Sequence, residues 1–453
     1  MRRNFGYYVA TSSLVIGAVD CLLFVAAYSF VVFRSFPVSS SPALMAVFVT
    51  AMGIVALMHS GGLYHGTATL DVKRTLVRLA LLTVPIFALA VWATEKLAQY
   101  HVVPIYPYRW QWTLALTAIW ILSAFSFRVL MRKLIGTEFL TQRIIILGTD
   151  EHVTKLGELA ALRDARIKIV GRIAPRGSYE TQHSEPELSS LALRLRASAI
   201  VVAVGAGELP WNVLANCRMS GVPIIDYLDF FEREARRICI DNLRCDWIAL
   251  SNGFKASGWN YWVRRISDLI VASVGFVAAA PVILLAALAI KLDDGGAVFY
   301  RQERIGLNGN AFVLFKFRSM REDAEIDGKP AWATERDIRV TRVGRLLRKL
   351  RIDELPQLYN VLKGEMTLIG PRPERPYFVQ QFSQTIPFYD FRHSVRPGIT
   401  GWAQVSFRYG ASQDDTKRKL SYDLYYLKNR SLLFDVLILM KTVGVVLRGE
   451  GAR

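Results

Sequence analysis

The sequence predicts a membrane protein of mixed class: a helical anchor, then a doubly wound α/β domain, then a basic α/β domain behind one further membrane helix. Three observations lead there. Long apolar runs crowd the first third of the chain and recur at residues 266–292. Short β-like segments alternate with helical ones between them, the pattern of a parallel sheet. The last 160 or so residues are polar and basic, and hold the densest clusters of charged motif residues.

Composition sets the outer bounds. The 453 residues suffice for two or three domains, and 52% of them are hydrophobic. The formal net charge is +18. Such a balance suits nucleic acid, an anionic membrane face or anionic substrates. With several apolar runs present, the cytoplasmic membrane face accounts for most of it and phosphate binding for the rest. The chain carries no recognisable nucleic-acid-binding motif, so no nucleic-acid partner is expected. Cys21, Cys217, Cys239 and Cys245 form no CxxC pair and have no histidine at ligand spacing, which argues against zinc and for a reducing compartment.

The anchor comes first. Apolar runs span residues 7–33, 43–58, 77–94 and 112–130. The second and third are short or interrupted by Pro85, yet each can cross a hydrocarbon core about 30 Å thick. The first is too long for a signal-peptide core and lacks a small-residue cleavage site, so it reads as a transmembrane helix. Arg2 and Arg3, then Lys73, Arg74 and Arg78 between the second and third runs, then Arg128, Arg132, Lys133 and Arg143 fall on one side while the alternate loops carry fewer positive charges, which places both ends of the bundle in the cytoplasm. Asp20 lies deep in the first run, with no cation expected deep in the other three.

The α/β domain follows. Residues 143–148, 167–171, 199–205 and 222–226 are apolar β-like runs separated by polar helical stretches. The dinucleotide fingerprint fails, because Gly148 is followed by Thr149, Asp150 and Glu151 rather than by further glycines. A structural or regulatory role is expected there. Residues 230–259 read as a charged linker.

Residues 266–292 are nearly continuous apolar sequence, long enough to span. Basic residues stand on both flanks, however, and Pro281 sits near the middle. Proline removes a backbone donor and clashes with the preceding turn, so the run is expected to bend there and return to the side it came from. The last apolar helix, residues 431–447, carries Asp435 and Lys441 and reads as an amphipathic surface helix.

The strongest chemical signal is Arg348-Lys349-Leu350-Arg351-Ile352-Asp353-Glu354-Leu355-Pro356-Gln357-Leu358. Two adjacent carboxylates behind three cations could form a salt-bridged helix surface. They also supply what phosphoryl transfer requires: cations for phosphate oxygens, a carboxylate for a divalent metal, and a carboxylate able to attack phosphorus. Lys316 and Arg318 share one face of a β-like segment. Pro371-Arg372-Pro373 restrains one arginine, and Arg396 opens a turn-rich Arg-Pro-Gly-Ile-Thr-Gly-Trp-Ala-Gln loop.

Together these blocks resemble the bacterial sugar transferase family, the monotopic phosphoglycosyl transferases. The likeness rests on the Pro-interrupted apolar segment, residues 304–309, 316–320, 353–358, 370–373 and 396–404, in that order. The first part is similar to long-form members, with four transmembrane helices and a degenerate Rossmann-like (CoA-binding-like) domain. The resemblance implies an anchor over 1–135, a Rossmann-like domain over 142–232, a linker over 233–262, a re-entrant membrane helix over 263–292 and a catalytic domain over 293–453. It implies an enzyme of the bacterial inner membrane, multi-pass, with its catalytic domain facing the cytoplasm. Asp353 would attack the sugar-bearing phosphate of a UDP-sugar, UMP would leave, and undecaprenyl phosphate would take up the hexose-1-phosphate, initiating exopolysaccharide or capsule repeat-unit synthesis. Glu354 would hold Mg²⁺. Arg348 would meet the lipid phosphate, Arg372 would place the nucleotide, and Arg351, Lys316, Arg318 and Arg396 would contact phosphate. A hexose such as glucose or galactose is the expected sugar; a homodimer and other polysaccharide-assembly proteins are the expected partners. In the family a serine or similar residue precedes the hinge proline, where this chain has Ala280. A nucleotide-sugar dehydratase would need the missing glycine fingerprint, and Tyr359 and Lys363, the only Tyr-x-x-x-Lys pair, lie beside the acidic dyad instead. A non-catalytic scaffold would have no need of the dyad.

Overall fold

The computed structural model describes residues 2–4, 7–9, 17–26, 48–55, scattered helical positions from 58 to 95, and 109–135, 142–162, 167–173, 185–203, 211–251, 253–254, 258–321, 339–407 and 412–447. Beyond the first seven residues the chain forms two compact units, Tyr8–Ala235 and Arg236–Arg453.

The first unit holds helix α1 (Gly17–Ala26), further helical stretches, and helix α2 (Arg109–Ile135). Residues Tyr7–Val9 are extended, so the first apolar run is not helical from its start. Pro85, the basic residues at 73–78 and the aromatic stretch 100–108 lie outside the described residues. Phe24, Ala51, Ile54, Met58, Leu79, Ile86 and Trp120 form one apolar core, with Trp120 edge-on to Phe24 at 5.5 Å. Asp20 does have a deep cationic partner, contrary to the sequence reading. Arg128 donates to both of its carboxylate oxygens at 2.9 and 2.5 Å, and Trp120 Nε1 donates to its carbonyl at 3.0 Å. Arg128 closes the fourth apolar run in sequence, but its side chain is only 3% exposed. A buried carboxylate is tolerated when a matched, bidentate cation neutralises it.

The same unit contains a parallel sheet of β1 (Gln142–Leu147), β2 (Ile167–Ile173), β3 (Ala199–Val202) and β4 (Ile224–Asp226), in the order β2-β1-β3-β4. The interleaved helices are α3 (Asp150–Leu162), α4 (Glu185–Arg194), α5 (Trp211–Met219) and α6 (Tyr227–Ala235). The two central strands are buried and apolar, as strands covered on both faces must be. Gly148 has a packing role, since a Cβ there would come within 2.8 Å of the Ala203 Cβ.

The second unit begins with residues 236–251, which the sequence assigned to a linker. They are folded onto this unit. The Trp402 indole donates to the Arg236 carbonyl at 2.9 Å, and the Ile238 amide donates to the Ser421 carbonyl at 3.0 Å. Trp247, in α7 (Cys245–Leu250), is buried under the Lys428 ammonium, 3.7 Å from its ring centre. Helix α8 (Gly258–Asp294) is helical throughout, with Pro281 inside it, so the proline does not break the helix. Near its start Arg265 donates to the Val361 and Leu362 carbonyls at 2.6 and 2.8 Å, Asp268 accepts from the Leu368 amide at 3.0 Å, and Ala272 packs on Leu314, Val361 and Met366. Near its end Ala286 and Ile290 pack on Phe317 and Leu347, and Asp294 pairs with Arg318. The stretch between carries exposed Val274, Val277, Leu284 and Leu285.

Two short sheets complete the scaffold. Antiparallel β5 (Phe299–Ile305) and β6 (Ala311–Phe317) form a hairpin, and parallel β7 (Thr367–Ile369) pairs with β8 (Gly398–Thr400). The hairpin turn is residues 306–310, with Asn308 and Gly309 at φ 54° and 79°; this explains that motif block as a turn. Helices α9 (Arg342–Lys349), α10 (Gln357–Lys363), α11 (Pro376–Thr385), α12 (Trp402–Ser406), α13 (Gln413–Asn429) and α14 (Leu432–Leu447) surround them. In α14 the charged residues point inward: Asp435 pairs with Arg264 at 2.7 Å and Lys441 covers Trp402 at 4.4 Å. Its exposed face carries Leu432, Val436, Leu439 and Val443.

Candidate active site

Helix α9 starts at Thr341, whose hydroxyl accepts from the Gly344 amide at 2.9 Å. Gly344 is required by close approach, since a Cβ there would lie 2.1 Å from the Ser319 carbonyl oxygen. The helix stops at Leu350, and Arg351 turns the chain through the left-handed region at φ 59°. A non-glycine residue there costs about 1–3 kcal/mol. The sequence placed Arg348, Arg351 and the dyad on one helix; this reversal separates them into two.

Beyond the turn the backbone is helical from Ile352 to Lys363, first as a 3₁₀ turn and then as α10. Its buried face presents Asp353, Pro356, Gln357, Asn360 and Val361. That face packs on β6. Asn360 accepts from the Phe315 amide at 3.1 Å and donates to the Val313 carbonyl at 2.7 Å. Lys316, next on the strand, is thereby set opposite the dyad, with Nζ 3.6 Å from Glu354 Oε1.

Arg372 arrives from the other side. The loop after β7 is fastened to β8 by the Gly370 amide on the Thr400 carbonyl and the Gly398 amide on the Pro371 carbonyl, both at 2.9 Å. The strands meet so closely that a Cβ at Gly398 would lie 2.0 Å from the Gly370 nitrogen. Arg392 donates to the Arg372 carbonyl and Arg304 to the Pro373 carbonyl, each at 2.9 Å. Held by its backbone, Arg372 directs Nη2 to Glu354 Oε1 at 2.7 Å. Arg351 Nη1 lies 3.7 Å from the same oxygen.

The two carboxylates therefore experience different fields. Burial alone would raise Glu354, but Arg372, Lys316 and Arg351 outweigh it and hold this acid far below the usual carboxylate range. Asp353 is shifted upward, first by burial and then by the neighbouring Glu354 charge; Lys316, Arg348 and Arg372 only partly offset this. Burial lowers Lys316 to about 8, against the opposing pull of Glu354. Asp353 is 8% exposed, and its Oδ1 is buried without a hydrogen-bond partner.

The structure thus gathers Lys316, Arg348, Arg351 and Arg372 around Asp353 and Glu354. Arg348 is steadied by Ser319, to whose hydroxyl its Nε donates at 2.8 Å. Two other candidates lie elsewhere. Arg318 lies one residue beyond β6 and pairs with Asp294. Arg396 donates to the Tyr261 hydroxyl at 2.8 Å and stacks over that ring. Ser319, Gln357 and Arg392 were not singled out by sequence reasoning; Ser319 and Gln357 had a signal in their places in the 316–320 and acidic blocks, and Arg392 had none. Tyr359 and Lys363 form no catalytic pair: Tyr359 packs edge-on to Phe315 and Lys363 binds Glu365 at 2.5 Å. A surface pocket of about 380 Å³, lined by residues 383–391, contains none of the candidates.

A buried carboxylate with an unpaired oxygen among several cations has the groups that phosphoryl transfer uses, and a long apolar helix packs on the same unit. Residues 259–449 match the bacterial sugar transferase family. The chain is 45% identical over 249 residues to the UDP-N-acetylgalactosamine-undecaprenyl-phosphate N-acetylgalactosaminephosphotransferase of Aeromonas hydrophila, covering 55% of this chain and 57% of that one. It is 42% identical over 193 residues to the UDP-glucose:undecaprenyl-phosphate glucose-1-phosphate transferase of Caulobacter vibrioides, covering 42% and 71%. It is 39% identical over 189 residues to the uncharacterized sugar transferase EpsL of Bacillus subtilis, covering 42% and 89%. The chain belongs to the bacterial sugar transferase family. It spans 57% of the length of the Aeromonas hydrophila relative and 36% of that of a further relative, the undecaprenyl-phosphate glucose phosphotransferase of Komagataeibacter xylinus.

Proposed function

We propose that this protein transfers a sugar-1-phosphate from a UDP-sugar to undecaprenyl phosphate, the step that starts an exopolysaccharide or capsule repeat unit. The observation that carries this reading is the Asp353 carboxylate, buried among Lys316, Arg348 and Arg372 with Oδ1 unbonded. Asp353 Oδ1 attacks the sugar-bearing phosphorus, the bond to the UMP oxygen breaks, and UMP leaves as an anion. The lipid phosphate oxygen then attacks the same phosphorus and the Asp353 carboxylate is restored. One site serves a soluble donor and a lipid acceptor in turn, which is ping-pong chemistry. Lys316 and Arg372 hold Glu354 ionised and spread charge over the phosphate oxygens.

Mg²⁺ fits this donor set. No cluster of three or more metal-ligating side chains occurs among the described residues. Mg²⁺ commonly needs only one or two carboxylates and takes its other ligands from substrate phosphates and water. Glu354, held ionised by Arg372 and Lys316, would hold the ion, which would neutralise charge on the diphosphate when bound.

The membrane arrangement belongs to the same reading. The part of the first unit before its sheet is a four-helix anchor, α8 enters the bilayer and returns, and the catalytic unit faces the cytoplasm where UDP-sugars are found. Supporting the return is the packing of both ends of α8 on one compact unit, while its middle exposes valines and leucines. A helix crossing outright would put its ends on opposite sides of the membrane. The exposed apolar face of α14 suits the same surface.

The donor is tested by UMP release from a panel of UDP-sugars with undecaprenyl phosphate. The panel includes glucose, galactose and N-acetylgalactosamine, since the relatives' names divide between glucose and N-acetylgalactosamine. One sugar giving lipid-dependent UMP supports the reading; none doing so would overturn it.

A further inference from the structure

Three polar side chains occupy the buried face of the 352–363 segment: Asp353, Gln357 and Asn360. Asn360 is fully engaged with β6 and Glu365. The other two are not. Gln357 is 3% exposed, and its Nε2 is buried with no partner, as is Asp353 Oδ1. Buried polar groups are almost always paired, so an orphan donor and an orphan acceptor one helical turn apart call for a third group that fits both. Filling Asp353 Oδ1 with an electrophilic phosphorus brings phosphoryl oxygens into the same space, and those oxygens accept hydrogen bonds.

We propose that Gln357 is a further catalytic residue, whose Nε2–H donates to an oxygen of the phosphoryl group as that group is taken up by Asp353. The inference rests on the transfer reading above. In the first step the Oδ1–P bond forms as the P–O bond to the nucleoside monophosphate breaks, and the leaving oxygen keeps the electron pair. Gln357 transfers no proton. It stabilises charge on a non-bridging oxygen while phosphorus is five-coordinate, and it does so again when the lipid phosphate attacks. Lys316 and Arg372 supply charge from the Glu354 side, whereas Gln357 supplies a neutral donor from the buried side, which leaves the Asp353 carboxylate free to attack.

The test uses the full chain in detergent or membranes, with the UDP-sugar identified by the panel. Gln357→Met keeps the volume and removes the donor. Expected is a first-turnover UMP release slowed about 100-fold, the loss typical of removing one such donor, with the KM for the sugar nucleotide within about threefold and the unfolding midpoint unchanged. A rate within threefold of the parent overturns the proposal and leaves Nε2 as the anchor of a water or a packing group. Should Gln357→Met fail to fold, the near-isosteric Gln357→Glu decides. Loss of UMP release in a folded Gln357→Glu protein supports the proposal, and parental release overturns it. Failure of the transfer reading itself looks different: the parent then releases no UMP, or Asp353→Asn releases as much as the parent.

Discussion

Asp353 and Glu354 are adjacent in sequence, yet one is pushed up and the other held far down. Attack requires the Asp353 carboxylate. As pH falls through a raised pKa that carboxylate is protonated and the rate is lost, so the acid limb of first-turnover UMP release should lie above the ordinary aspartate value of about 3.9. Glu354→Gln removes a raising charge and should move the limb of the residual activity down; Arg348→Met removes a lowering one and should move it up. Lys316 acts as a cation, and its charge is lost as pH rises through about 8. Lys316→Arg keeps the charge throughout, so the alkaline fall near pH 8 should disappear. Rate–pH profiles of the variants check each shift. The dyad and its flanking cations were legible in the sequence because the charges are local. The destinations of Arg318 and Arg396 were not, because Asp294 and Tyr261 lie 24 and 135 residues away along the chain. Arg128 was misread for the same reason: it ends an apolar run, and only the fold brings it to Asp20.

At the scale of elements, α8 carries the sharpest question. Its 37 residues would extend roughly 55 Å if straight, well beyond a hydrocarbon core of about 30 Å. The sequence revealed its apolar core but neither its start at Gly258 nor its continuity through Pro281, since a proline can bend a helix without ending it. If α8 returns to its starting face, single cysteines placed at Tyr261 and Leu292 should both react with an impermeant thiol reagent in inside-out membrane vesicles, and neither in right-side-out vesicles. Labelling of one from each side would mean a full crossing. The 236–251 segment shows the opposite failure of sequence reading. Its charged, mixed composition suggested a linker, whereas Ile238, Ile240 and Trp247 are buried in the second unit. Short segments with few apolar residues reveal their packing only through partners distant in sequence.

At the scale of the whole molecule, the chain folds as two units, and the family match falls entirely within the second. The alignment to the Bacillus relative covers 89% of that chain. A fragment starting before Arg236 should therefore fold and release UMP in detergent. One starting at Gly258 loses the contacts of Ile238 and Trp247, each of which contributes about 1.5–3 kcal/mol by burial, and should melt earlier. Unfolding midpoints of the two fragments make the comparison. The parallel α/β sheet was readable from alternating periodicities. The strand order β2-β1-β3-β4 was not, because register and crossover are set by packing rather than by local pattern. The central claim concerns a covalent bond at one residue, and mass spectrometry of the protein after incubation with its UDP-sugar, without lipid, tests it most directly. The account expects a sugar-phosphate mass on the peptide carrying Asp353, released on adding undecaprenyl phosphate and absent from Asp353→Asn. UMP release with no adduct, or an adduct that persists in the variant, would contradict it.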